Sequence, residues 1–273
     1  MYGTDENGRK LGKLYDWTPI CTALNWTETN GKMSWTDAAS EREPDYLSDT
    51  SGGDAVTGDD TKGIGLLKSI VGLNGTDEEI ITKWKTQLQN EFDEMIKSVE
   101  KNKGFYVGRY ETSLNESKNA QSISGATSAT AEASSANTWY GLYQKEKEYS
   151  EKNKLTNAVG SSMIWGSQYD QMMIWMQGNG IEVTSPTPTN LEGVTTSKNT
   201  TRKTGTVSTD KLNNIYDLLG NSYEWTLEAV YVDERTNRGG NSGDDSISPS
   251  YRDDYYPSYT NRNGSSRLTL YIK

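Results

Sequence analysis

Apolar residues keep helical spacing most clearly after Thr76, where Ile81, Trp84, Leu88, Phe92, Met95, Ile96 and Val99 fall on one face. Thr76 opens the run as the first residue of a T-D-E-E capping box, the first turn is acidic, and Gly104 closes it. The pattern predicts an amphipathic helix of about twenty-five residues. GFYVGRYETS, at 104–113, alternates aromatic and β-branched residues with small or polar ones and predicts a strand. Further helices are predicted from Thr138 to Lys152, with Trp139, Leu142, Tyr143 and Tyr149 to one side, and from Ser167 to Met176, where Tyr169, Met172, Met173 and Met176 repeat. NNIYDLLGNSYEWTLEAVYV, at 213–232, alternates around Gly220-Asn221 and predicts strand, tight turn, strand. The closing RLTLYIK puts Leu268, Leu270 and Ile272 on one face of a half-buried strand. Helices early and short strands late make the fold class α+β.

The remainder lacks either period. Residues 1–75 are expected as an irregular segment packed on a main domain at 76–273, clipped there by Trp17, Trp26 and Trp35; a sugar-stacking platform is the less favoured use of those rings. Residues 122–136, rich in Ser, Ala and Thr, predict an exposed loop, and 178–210 a long surface excursion. The methionines of the third helix are expected to fill core rather than line a pliable groove.

The run between Arg238-Gly239-Gly240 and the closing strand is NSGDDSISPSYRDDYYPSYTNRNGSS. Asp/Ser stretches of this length ordinarily stay disordered, but tyrosines interrupt this one and an alternating strand ends it, so it is expected to be pinned at both ends. Tyr251, Tyr255, Tyr256 and Tyr259 supply rigid contact area at low entropic cost, and the Asn, Ser, Asp and Gly around them supply adaptable hydrogen bonds. That is the chemistry of a binding surface.

Composition narrows the field. Phe occurs only twice, but eight Trp and seventeen Tyr give the chain enough large side chains to build a core laced with hydrogen bonds. A net charge of −10 without a concentrated basic patch argues against nucleic acid and anionic membrane as partners. No stretch approaches the roughly eighteen apolar residues of a membrane span and MYGTDENGRK holds no signal core, so a soluble chain without membrane insertion is expected. With no histidine and the single cysteine Cys21, an internal disulfide, Cys-rich zinc sites, His-based metal centres and Ser-His or Cys-His nucleophiles are excluded.

Taken together, GFYVGRYETS, SSMIWGSQYDQMMIWM, NIYDLLGNSYEWTLEA, RGG and SRLTLYIK resemble the formylglycine-generating-enzyme type of C-type lectin fold. Within it the chain is most similar to the variable proteins of diversity-generating retroelements of gut bacteria and their phages, over about residues 76–273, with a variable region at about 238–273. Diversified codons in that family are AAY triplets, whose adenine substitutions never give Lys, Glu, Gln, Trp or Met. None of these five occurs between Asn241 and Asn263, although the rest of the chain uses them freely. The resemblance implies that Arg238, Gly239, Gly240, Arg252 and Arg267 are scaffold. It implies that Asn241, Gly243, Asp244, Asp245, Tyr251, Asp253, Asp254, Tyr255, Tyr256, Ser258, Tyr259, Asn261, Arg262 and Asn263 are exposed, variable and ligand-binding. Where the family often has Gly-Phe-Arg, this chain has Ser265-Ser266-Arg267.

The cysteine pair of the enzyme and the histidine cluster of the related iron-dependent synthases are both missing, so a non-catalytic binder of a protein or glycan on a cell surface is expected, borne on a phage virion or a bacterial surface, with a monomer favoured. A structural virion or surface-display domain is the alternative. Less favoured is a glycan hydrolase drawing on Asp244, Asp245, Asp253, Asp254 and Glu224. No cofactor is implied firmly; a structural calcium ion at Asn221 and Glu224 is the one possibility, because the matching turn of the enzymes lies near such a site and its oxygens suit a hard cation.

Overall fold

The computed structural model describes residues 62–128, 138–155, 157–183, 201–208, 210–231, 234–242, 248–258 and 264–273. Trp17, Trp26 and Trp35 lie outside them. The architecture is α+β, with helices around several small sheets.

Residues 62–71, expected to be irregular, are helical: α1 (Lys62–Leu66) runs into a π-helical turn at Leu67–Val71. Leu67 is fully buried, and Ile64, Leu66, Ile70, Val71 and Leu73 pack on the main core, so these residues belong to the body of the domain. The long helix α2 (Asp77–Asn102) starts on the expected capping box: Glu79 N–H donates to Thr76 Oγ1 at 3.3 Å, and Thr76 N–H donates to Glu79 Oε2 at 2.8 Å. It ends at Asn102 rather than running to Gly104, because Lys103 caps it in the left-handed conformation at φ 61° and donates its N–H to Val99 O. Ile80, Trp84, Leu88, Phe92, Met95 and Ile96 are buried along its inner face.

That face meets α3 (Trp139–Lys147), which a short helix α4 (Tyr149–Lys152) follows. Trp84 stands edge-on to Trp139 at 6.0 Å and to Tyr143 at 5.1 Å, while Trp139 and Tyr143 stack at 5.5 Å. Rings thus supply the packing that aliphatic side chains supply in most cores. The helix α5 (Gly166–Gly178) builds a second cluster from Tyr169, Met172, Met173 and Met176 with Ile164, Ile181, Val183, Leu212 and Leu218. Its methionines fill core, as expected.

Of the strand expected at 104–113, only β1 (Tyr106–Val107) is regular; β2 (Ser113–Leu114) pairs with β3 (Ala120–Gln121) instead. A three-stranded sheet has the order β1, β11 (Leu268–Ile272), β4 (Val159–Met163), antiparallel throughout. Within β11, Thr269 and Tyr271 are buried and Ile272 is 38% exposed, so burial does not follow the expected Leu268–Leu270–Ile272 face. The central position explains this: Thr269 Oγ1 donates to Ser162 O, and the Tyr271 ring packs so closely on Gly160 that a Cβ there would meet it at 2.3 Å.

The tight turn at 213–232 also falls elsewhere. β5 (Lys211–Leu212) and β6 (Ile215–Tyr216) form a hairpin whose two-residue loop, Asn213-Asn214, has φ of 45° and 69°, the positive pair that twists a hairpin correctly. Gly220 and Asn221 are left-handed too, at 79° and 59°, but they lead into β7 (Tyr223–Tyr231) without joining paired strands. β7 pairs antiparallel with β8 (Glu234–Arg238) and parallel with β10 (Gly264–Ser266); β9 (Arg252–Tyr255) pairs with β8. The order is β10, β7, β8, β9. No helix among the described residues is long and apolar enough to cross a membrane.

Candidate functional site

Two adjacent rows of residues cross the four-stranded sheet from edge to edge. Ser265, Glu224, Arg238 and Arg252 stand in register, and so do Ser266, Trp225, Asn237 and Asp253. Neighbouring residues of a strand point to opposite faces, so one face carries Glu224, Arg238 and Arg252, and the other carries Trp225 with Leu227 and Tyr255, beside Asp253 and Arg235, whose guanidinium lies 4.7 Å over the Trp139 ring.

On the first of these faces, Asp170 of α5 completes a closed square. Arg238 donates to Asp170 Oδ1 at 2.9 Å and to Glu228 Oε2 at 3.4 Å, and Arg252 donates to Asp170 Oδ2 at 2.7 Å and to Glu228 Oε2 at 2.9 Å. None of the four side chains is more than 1% exposed. Burial raises the Asp170 carboxyl above its ordinary range, and the two guanidinium groups offset that. The Arg238 guanidinium lies 4.4 Å over the Tyr169 ring, and the Tyr169 hydroxyl donates to Pro249 O at 3.0 Å. Ser250 N–H donates to Val183 O, and Gly239 N–H to Tyr251 O. The start of the Tyr-rich run is therefore tied to α5 and β8 by side chain and backbone alike. Gly239 has φ +82°, and a Cβ on it would stand 2.7 Å from Leu218 O, so this joint accepts only glycine without strain.

Arg267, between β10 and β11, is fully buried and links the two larger sheets. It holds Glu224 through both carboxylate oxygens and donates to Gly108 O at 2.8 Å and Tyr216 O at 2.9 Å. Ser265 Oγ donates to Thr112 O and Ser266 Oγ to Glu146 Oε1, so both serines anchor the segment before β11. Beside them Glu111 accepts from Ser222 N–H and from the Asn221 amide. Its burial, reinforced by Asp217 and Glu224, pushes its carboxyl well above the usual range.

The oxygens of Asn221 and Glu224 that suit a calcium ion have partners within the chain. Asn221 Oδ1 accepts Arg202 N–H at 2.7 Å, and both oxygens of Glu224 are taken by Arg267. Among the described residues no group of three His, Cys, Asp or Glu is arranged to hold a metal ion. Glu224 and Asp253 occupy opposite faces of the sheet, so they do not converge on a substrate as a glycosidase pair must.

The expected binding residues divide. Asn241, Tyr251, Tyr255 and Tyr256 are half-buried. Tyr255 meets Trp225 edge-on at 6.5 Å and packs on the main core, so part of its ring is structural. Asp253 and Ser258, expected to be exposed, are buried at 7% and 1%. Asp253 sits in the interior row opposite Asn237, and Ser258 follows Pro257, whose carbonyl accepts Trp139 N–H at 3.1 Å and draws that turn onto the start of α3. Asp254 lies in β9 opposite Thr236. Gly243, Asp244, Asp245, Tyr259, Asn261, Arg262 and Asn263 lie outside the described residues. Sequence reasoning missed Asp170 and Glu228. The one available signal was a lone acid beside Tyr169, within a helix whose apolar residues fill core.

No family model matches the chain, nor does any curated protein or solved structure.

Proposed function

We propose that this chain is a non-catalytic, hypervariable ligand-binding protein: a C-type lectin scaffold of the formylglycine-generating-enzyme type that presents residues 241–263 to a protein or glycan on a cell surface. The observation that carries the reading is the construction around β9. Arg252 is locked into a buried square of charges while Tyr251, Tyr255 and Tyr256 on either side of it are only half-buried. The three arginines that the resemblance assigns to scaffold are all buried and all ion-paired. Binding would use aromatic packing and adaptable hydrogen bonds, with the net charge of −10 favouring basic or neutral ligands. A phage virion or a bacterial surface suits such a protein.

The flanking DNA gives the test. The reading expects a near-copy of the codons for 238–273, beside a reverse transcriptase gene, differing from them only at adenines. A locus with neither copy nor reverse transcriptase overturns it.

A further inference from the structure

The far end of the Tyr-rich run is fastened by a carboxyl group that has no ion-pair partner of its own. Glu146 of α3 is fully buried. Its Oε1 accepts from Ser266 Oγ at 3.0 Å and from Thr112 Oγ1, while its Oε2 meets no donor. The charged groups that act on it are Glu224 of β7, which repels a second negative charge, and Arg267, which is already committed to Glu224. On its own helix Lys147 is paired at 2.5 Å with Glu91 of α2, and Lys145, the neighbour on the other side, makes no ion pair with Glu146. An ionised Glu146 would therefore leave one charged oxygen bare in the interior, a far greater cost than an unshared neutral hydroxyl. Burial raises its carboxyl to about 8, outweighing the two hydroxyl donors that favour the charged form.

We propose that Glu146 is a proton-dependent latch on the end of the display segment. As a neutral acid it gathers Thr112, Ser266 and α3 into one buried cluster; once its proton passes to solvent, the carboxylate leaves the pocket and β10 loosens from the body of the domain. That loosening regulates binding only if the display reading above holds. The latch itself does not depend on that reading.

The sign follows from the two protonation states. Between the ordinary carboxylate range near 4.5 and about 8, the closed form keeps a proton that the open form releases. The stabilisation is complete below that window and is lost as pH rises through it.

Amide hydrogen exchange of the full chain, read on peptides covering 264–272 and corrected for intrinsic rates, tests this without any ligand. In the wild type, protection should fall by up to about tenfold per pH unit between pH 6 and 8. Glu146→Gln keeps an acceptor for both hydroxyls and cannot ionise, so it should lose that part of the slope and be better protected at pH 8. Other buried carboxylates contribute equally to both proteins and cancel. Equal slopes overturn the latch and leave the display reading to the DNA test. If Glu146→Gln does not fold, Ser266→Ala decides: it removes a donor that favours the charged form, so the midpoint must move up, and an unmoved midpoint overturns the proposal.

Discussion

The two faces of the four-stranded sheet are buried to a similar degree but held by different forces. One packs Trp225, Leu227 and part of Tyr255 against the rings of α2 and α3. The other closes Arg238, Arg252, Asp170 and Glu228 into a ring of ion pairs. Aromatic packing is tolerant of small shifts. Paired buried charges are not, because a slip of one residue in β9 would move Arg252 to the aromatic face and leave Arg238 alone against two buried carboxylates. The ring face stabilises the sheet, and the charged face fixes the register in which the Tyr-rich run leaves it.

That contrast can be broken at four positions. Arg252→Ala leaves Asp170 and Glu228 short of a partner and should cost about 3–5 kcal/mol in urea unfolding. A loss under about 1 kcal/mol would mean that the square does not anchor β9. Gly239→Ala forces a side chain into a left-handed position against Leu218 O and should cost about 1–3 kcal/mol by the same measurement. Tyr255→Ala, on the ring face, removes a half-buried aromatic group, and about 2 kcal/mol is expected; no loss at all would mean that its contact with Trp225 contributes nothing. Tyr256→Ala should cost about 1 kcal/mol or less, and a melting temperature that drops as far as in Tyr255→Ala would make it core.

The same contrast marks how much could be read from sequence. Helix α2 was legible because its capping box, acidic first turn and apolar face all lie within one local window. The methionine face of α5 was legible for the same reason. The charged square was not. Asp170 and Arg252 stand eighty-two residues apart, and local periodicity assigns each of them to the surface. Arg238, Arg252 and Arg267 were found only through a family resemblance; of their carboxylate partners, Asp170 and Glu228 were found by neither route, and Glu224 was singled out for a different role. Asp253 was expected in solvent because the resemblance counts it among the variable positions; it lies in β9, where both faces of the sheet are covered. The turn at Asn213-Asn214 was overlooked because Gly220-Asn221 carries the stronger local signature of positive φ, although both pairs adopt it.

The pairing of Tyr106 with Leu270 bears on how fast this protein can form. Among the described residues the earliest strand waits for the latest, and Ser98 of α2 also reaches across 174 residues to the carbonyl of Ile272. Closing so large a loop must precede any reward from the contact, which puts the chain among slow folders, with α2 ready long before the strand it covers arrives.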